Sequence, residues 1–144
     1  REREETEILN DLDVHEAWAN QICRKTEEMP AIDWTKSNYS RMNLKNRNLS
    51  GIDFTGSLMK NCDFTACNLT GVDFTGCNLT GAIFLNAILA QNTFDGAKLE
   101  DIKIDQKNLQ LFENAGIAVN TDQTGPMNIS VNRSVLSRKG NTAV

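Results

Sequence analysis

From Ile32 onward a large apolar residue returns at every fifth position. The chain divides into IDWTK, SNYSR, MNLKN, RNLSG, IDFTG, SLMKN, CDFTA, CNLTG, VDFTG, CNLTG, AIFLN, AILAQ, NTFDG, AKLED and IKIDQ, with KNLQL as a partial last copy. The centres are Trp34, Tyr39, Leu44, Leu49, Phe54, Met59, Phe64, Leu69, Phe74, Leu79, Phe84, Leu89, Phe94, Leu99, Ile104 and Leu109. A spacing of five matches neither the 3.6-residue period of an α-helix nor the alternation of a strand, so these centres cannot line one face of either. A chain that turns a corner every five residues does bring each centre to a common axis. The small residue two places before each centre then points inward as well, and successive coils hydrogen-bond at about 4.8 Å.

These units resemble the pentapeptide-repeat family, whose pattern is a small residue, Asp or Asn, Leu or Phe, a small polar residue and often Gly. The run CDFTACNLTGVDFTGCNLTG follows it closely, and the resemblance covers residues 32–109. It implies an all-β solenoid, a right-handed quadrilateral β-helix with one side per unit, and about four coils forming a rod roughly 20 Å long. Residues twenty apart then stack. Trp34, Phe54, Phe74 and Phe94 form one wall, facing Leu44, Phe64, Phe84 and Ile104, with mainly leucine walls between them. Each buried centre contributes about 1.5 to 3 kcal/mol, which makes these ladders the main stabilising element. Arg47 and Lys107 occupy inward positions that are otherwise mostly small. An unpaired charge there costs several kcal/mol, so the coil is expected to be distorted or open at both.

The ends of such a rod expose unpaired backbone groups and need covers. Asp13 and Glu16 form a capping box, and Val14, Trp18 and Ile22 follow at spacings of four, which predicts a helix over about 14–27 ended by Pro30. Ile8, Leu9 and Leu12 suggest a shorter helix before it. Trp18 and Ile22 are expected to cover the first coil, and a helix that binds a partner is the alternative. After the last coil, Leu111, Phe112 and Ile117, with Gly116 as a stop, predict a capping helix over 110–117. Residues 118–144 are polar and poor in large apolar groups, which predicts a flexible tail. Thr142, Ala143 and Val144 fit the loose carboxyl-terminal motif read by PDZ domains, and Asn128 and Asn132 begin N-x-Ser sequons to which no glycosylation is assigned. The expected organisation is thus an N-terminal helical cap over 1–31, the β-helix over 32–109, a C-terminal helix and the tail.

With 144 residues, 40% of them apolar, the chain is sized for one modest domain, which excludes a multidomain enzyme. It has no run of about 20 apolar residues, and the opening REREETE lacks a signal-peptide core. We therefore expect no membrane span and a cytoplasmic protein, or one delivered into a host cell if it is an effector. The start at Arg1 rather than Met suggests a processed product or a piece of a longer chain. Charge is uneven: residues 1–31 carry nine acids and four bases, 32–109 eight of each, and 110–144 two acids and three bases. These sum to the net −4. The neutral repeat segment has no basic stripe, so direct nucleic-acid binding is not expected.

Catalytic chemistry finds little footing. Cys62, Cys67 and Cys77 take the small inward position at spacings set by the repeat, and His15 is the one histidine, so neither a zinc site nor any other metal or cofactor is predicted. We read the cysteines as reduced small hydrophobes, consistent with a reducing compartment. Asp33, Asp53, Asp63 and Asp73 alternate with Asn38, Asn43, Asn48, Asn68 and Asn78 before their centres, which points to turn chemistry rather than to a carboxylate pair. His15 is expected on a helix surface. No enzyme is predicted.

What remains is surface. Leu58, Ile83, Leu85 and Ile88 are large apolar residues at outward positions, and Ile83, Leu85 and Ile88 fall on neighbouring sides of one coil. They form the candidate interaction surface, unless the N-terminal helix or the tail folds over them. The expected function is a non-catalytic scaffold for protein–protein interaction, bacterial in type and an effector or a module of one, with a protein partner or self-association. The resemblance also brings in members that mimic duplex DNA and bind DNA gyrase. Those are longer, acidic along one side and dimerised through C-terminal coils, unlike this neutral rod. Other relatives join such a rod to a ubiquitin-ligase domain, whose nucleophilic cysteine segment this chain lacks.

Overall fold

A computed structural model describes residues 3–21, 28–114, 119–120 and 129–131. Along the repeat, parallel bridges join residues twenty apart: Asn38 to Leu58 and on to Asn78 and Lys98, Asn43 to Asp63, Ile83 and Lys103, Asn48 to Asn68 and Ile88, and Asp53 to Asp73 and Thr93. These are four sides of a right-handed β-helix, each contributing one short rung per turn. Within each side the amide of the centre donates to the coil below, as in Leu44 N–H to Asp63 C=O at 2.9 Å, and the residue before it donates to the coil above, as in Asp63 N–H to Met42 C=O at 3.0 Å.

The corners follow from the fifth residue of each unit. The amide after it returns to the preceding centre, as in Cys62 N–H to Met59 C=O at 3.2 Å. Such a turn needs a left-handed residue at its third position. Ala66 (φ 61°) supplies it against the usual preference, Asn61 (φ 59°) as one of the few side chains that tolerate it, and Gly71 (φ 73°) freely. A Cβ on Gly71 would meet Gly51 Cα at an ordinary 3.8 Å, so glycine is used there for its backbone and not for space.

The Asp and Asn before each centre act as the sequence suggested. Oδ1 of Asp53, Asp63 and Asp73 accepts the amide of Thr55, Thr65 and Thr75 at 2.9 Å, and Asn38, Asn43, Asn48, Asn68 and Asn78 make the same bond two residues on. The axis is filled by the centres. Phe54, Phe74 and Phe94 stack at 6.0 and 5.3 Å, Phe64 stacks on Phe84 at 5.1 Å, and the two walls meet edge to face, as in Phe64 on Phe74 at 5.8 Å.

The flanks depart from expectation. Helix α1 spans Glu5–Ala19, one continuous helix that starts about nine residues before the predicted Val14, and Ile22 and the rest of 22–27 lie outside the described residues. Its buried face is Ile8, Leu12, His15 and Ala19, whereas Val14 is exposed and Trp18 half-buried. The capping-box reading fails because Asp13 and Glu16 lie inside the helix and turn outward to Arg47. Arg47 leaves the coil undistorted: its carbonyl accepts Asn68 N–H at the regular 2.9 Å, while its guanidinium meets Glu16 at 2.7 Å and Asp13 at 3.4 Å. It belongs to the first coil, and α1 lies against that end.

At the other end the repeat stops short of Leu109. Strand β1 (Lys103–Ile104) closes the last side, and residues 106–108 form a 3-10 turn that leaves Lys107 exposed. Helix α2 (Leu109–Asn114) follows and buries Phe112 against Phe94, with ring centroids 5.3 Å apart. Gly116 and Ile117 lie outside the described residues. The tail expectation is corrected where the chain is described: β2 (Val119–Asn120) and β3 (Ile129–Val131) form a three-stranded sheet with β1 in the order β1-β3-β2, all antiparallel. The edge of β1 offers unpaired groups that β3 takes up. Asn128, Asn132 and the terminal Thr142 to Val144 are outside the described residues.

Candidate functional site

The structure distributes the predicted surface residues over three sides. Ile83 lies between Asp63 and Lys103, and Ile88 stacks on Asn68 on the adjoining side, with Leu85 between them in sequence. Ile88 is 51% exposed, while Ile83 and Leu85 are half-buried. Leu58 is 49% exposed but stacks with Asn38 and Asn78, on the side opposite Ile88, so it does not join the other three. Because the side chain at this position normally closes an Asx turn, an Ile or Leu here gives up that bond and places apolar surface outward. The polar contacts of α1 and of Arg3 just before it fall on Asp33, Arg47, Asn48 and Ser50 of the first coil, away from Ile83 and Ile88. Strand β3 continues the Ile83 side beyond Lys103, pairing Lys103 with Ser130.

The inward thiols are engaged and inert. Cys62, Cys67 and Cys77 donate to the carbonyls of Tyr39, Leu44 and Phe54 at 2.8, 2.8 and 3.0 Å. Ser57 makes the equivalent bond to Trp34 C=O. Burial pushes the thiols up to about 12, 11 and 12, so they stay protonated and poorly nucleophilic. The Asp carboxylates are spent on their turns, and among the described residues no group of three or more His, Cys, Asp and Glu is placed to hold a metal ion. An open groove of about 600 Å³ between α1 and the first coil is lined by Asp13, Glu16, Asn43, Lys45 and Arg47, and its Arg47 is already paired with Glu16 and Asp13.

Sequence reasoning missed the residues that finish the ladder. At the first coil, three side chains of the N-terminal segment stand where a preceding coil would stand. Arg3 Nη1 donates to Asp33 C=O at 3.1 Å, His15 Nε2 to Ser50 C=O at 2.8 Å, and Glu16 accepts Asn48 N–H at 3.3 Å. Arg3 also lies over the Trp34 and Tyr39 rings, 5.2 and 5.8 Å from their centroids, closing the axis by a cation–π contact. His15 is thus fully buried, not on the helix surface, and burial lowers its pKa against the opposing pull of Ser50 and Glu16. At the last coil, Asp105 Oδ2 accepts Asn86 N–H at 2.6 Å and Asn108 Nδ2 donates to Ala87 C=O at 3.1 Å. Elsewhere those two groups meet backbone partners, as Gly81 N–H meets Glu100 C=O and Cys67 C=O meets Ile88 N–H. The one signal in the sequence was the coincidence of polar residues with both ends of the repeat.

Among the described residues no helix is long and apolar enough to cross a membrane. No curated protein matches the chain. Among solved structures it is similar to a pentapeptide repeat protein from the Arabidopsis thaliana thylakoid lumen, at 16% identity over 66% of this chain and 83% of that one, with a TM-score of 0.29. The description "Pentapeptide repeats" matches in eight copies over residues 40–76 and 67–106. With the five-residue period, the left-handed corners and the twenty-residue rungs already in place, that match places residues 40–106 of the chain in the pentapeptide-repeat family.

Proposed function

We propose that this chain is a non-catalytic scaffold, a rod of about four coils that binds a protein partner through the apolar patch of Ile83, Leu85 and Ile88. The observation that carries the reading is the loss of the Asx side chain at Ile83 and Ile88 on adjoining sides, two coils along the rod from the Asn48 level at which α1 makes its polar contacts. Such a patch on an otherwise polar rod fits a partner, or a second copy of this chain, better than it fits solvent. The engaged thiols and turn-bound carboxylates support a structural rather than a catalytic use of the same residues. Cytoplasmic residence, or delivery into a host cell as a bacterial effector, belongs to the same proposal.

The test compares the wild-type chain with Ile83→Asp/Ile88→Asp by light scattering and by retention of partners. The patch reading predicts loss of association with the circular-dichroism spectrum and melting close to wild type. Association that survives both charges removes the patch from the account. Inhibition of gyrase supercoiling by the wild-type chain would replace the scaffold reading with the DNA-mimic one.

A further inference from the structure

We propose that α1 is an acid-released latch on the first coil: protonation of His15 undocks the helix and uncovers Trp34, Tyr39 and the end of the backbone ladder. His15 sits in the middle of the buried face formed by Ile8, Leu12 and Ala19. Its ring lies 5.5 Å from that of Trp18 and edge-on to Trp34 at 6.2 Å. Nε2 is 2.8 Å from Ser50 C=O, which can only accept, so the neutral ring carries its proton on Nε2. Nδ1 is buried and has no hydrogen-bond partner among the described residues. A second proton there adds a donor without an acceptor and a charge in a buried site.

The charged groups around the ring do not offset this. Glu16 on α1 is the nearest carboxylate, but it is held by Arg47 at 2.7 Å and by Asn48 N–H. Asp13 lies beyond Arg47, and from the other direction Arg3 puts a further positive charge over Trp34, with Asp11 3.3 Å from it. Burial dominates and lowers the pKa of His15 below its ordinary 6.5. In undocked α1 the ring is solvated and takes up its proton near 6.5, so docking is fully supported above that pH and weakens as pH falls below it. The opening constant then rises by up to about tenfold per pH unit until the docked ring itself titrates. The C-terminal end has no histidine, and its cover is the apolar Phe112.

The chain has one histidine and two tryptophans, Trp18 on the latch and Trp34 beneath it, which makes the event readable. Tryptophan emission is followed from pH 7.5 to 5.0, above the range where free carboxylates titrate, for wild type and for His15→Gln, whose amide keeps a donor toward Ser50 but cannot titrate. The His15 ring is titrated by NMR in the wild type. The latch predicts a red shift that develops below pH 6.5 in wild type, its loss in His15→Gln, and a ring that titrates below 6.5. Emission unchanged down to pH 5.0, an equal shift in His15→Gln, or a ring that titrates at or above 6.5 would each overturn it. If the variant does not fold, the wild-type titration and emission decide alone.

Discussion

At the first coil, the spare groups of the ladder are met by side chains from far up the chain: His15 reaches Ser50 across 35 positions, and Arg3 reaches Asp33 across 30. At the last coil they are met by the chain that is just leaving it, Asp105 for Asn86 and Asn108 for Ala87, across 19 and 21 positions, the usual separation between coils. The first cover is ionic and titratable, with Arg3, His15, Glu16 and Arg47 in it. The second is a local polar pair roofed by the fully buried Phe112. Both complete the same hydrogen-bond pattern, and they differ in what loosens them. A distant helix that adds charged contacts to its packing at Ile8 and Leu12 responds to salt and acid as well, whereas a cover continuous with the core responds mainly to loss of packing.

The largest way to separate the ends is at Phe112. Phe112→Ala removes a buried ring packed at a tilt against Phe94, and we expect a loss of about 3 to 5 kcal/mol in denaturant unfolding. A loss under about 1 kcal/mol would show that α2 is not part of the packed axis. Next is Asp105→Ala, which leaves Asn86 N–H without its acceptor and removes one of the two acceptors of the Asn108 amide, and is expected to cost about 1 to 3 kcal/mol, nearly independent of salt. The smallest effect belongs to the other end. Arg47→Met breaks a partly exposed pair with Glu16, for which we expect less than about 1 kcal/mol, shrinking further in high salt. If Arg47→Met cost more than Asp105→Ala, the contrast between the two ends would be reversed.

The body of the fold was legible because the repeat states the same instruction many times. Each centre, each Asx turn and each small inward residue could be checked against its copies, and the structure buries every centre from Trp34 to Ile104. The flanks have no copies to average over. Val14, Trp18 and Ile22 made as good a helical stripe as Ile8, Leu12, His15 and Ala19, because helical periodicity marks a face without saying which face is wanted. Asp13 and Glu16 matched a capping box by spacing alone, and their true partner, Arg47, lay 34 and 31 residues away. Arg47 looked misplaced for the same reason: an inward position in a terminal coil has no coil above it, and only the location of α1 reveals where the charge goes. At Lys107 the coil is open as expected, whereas Leu109 was misread as a last centre because the repeat had already ended in a 3-10 turn. Of the surface residues, the outward apolar character of Ile83, Leu85 and Ile88 was readable from the pattern. That Leu58 stands on the opposite side from Ile88 follows from the twenty-residue rung.

The most direct measurement is amide hydrogen exchange of Asn48 and Asn86 in the wild-type chain near neutral pH. Among the described residues these are the two ladder donors that meet a side-chain carboxylate, Glu16 and Asp105, where the repeat elsewhere supplies a backbone carbonyl. If side chains complete the ladder at both ends, both amides exchange far more slowly than in an open chain, and Asn86 more slowly than Asn48. Exchange of either amide at the open-chain rate would contradict the claim that the ends of the solenoid are closed by these residues.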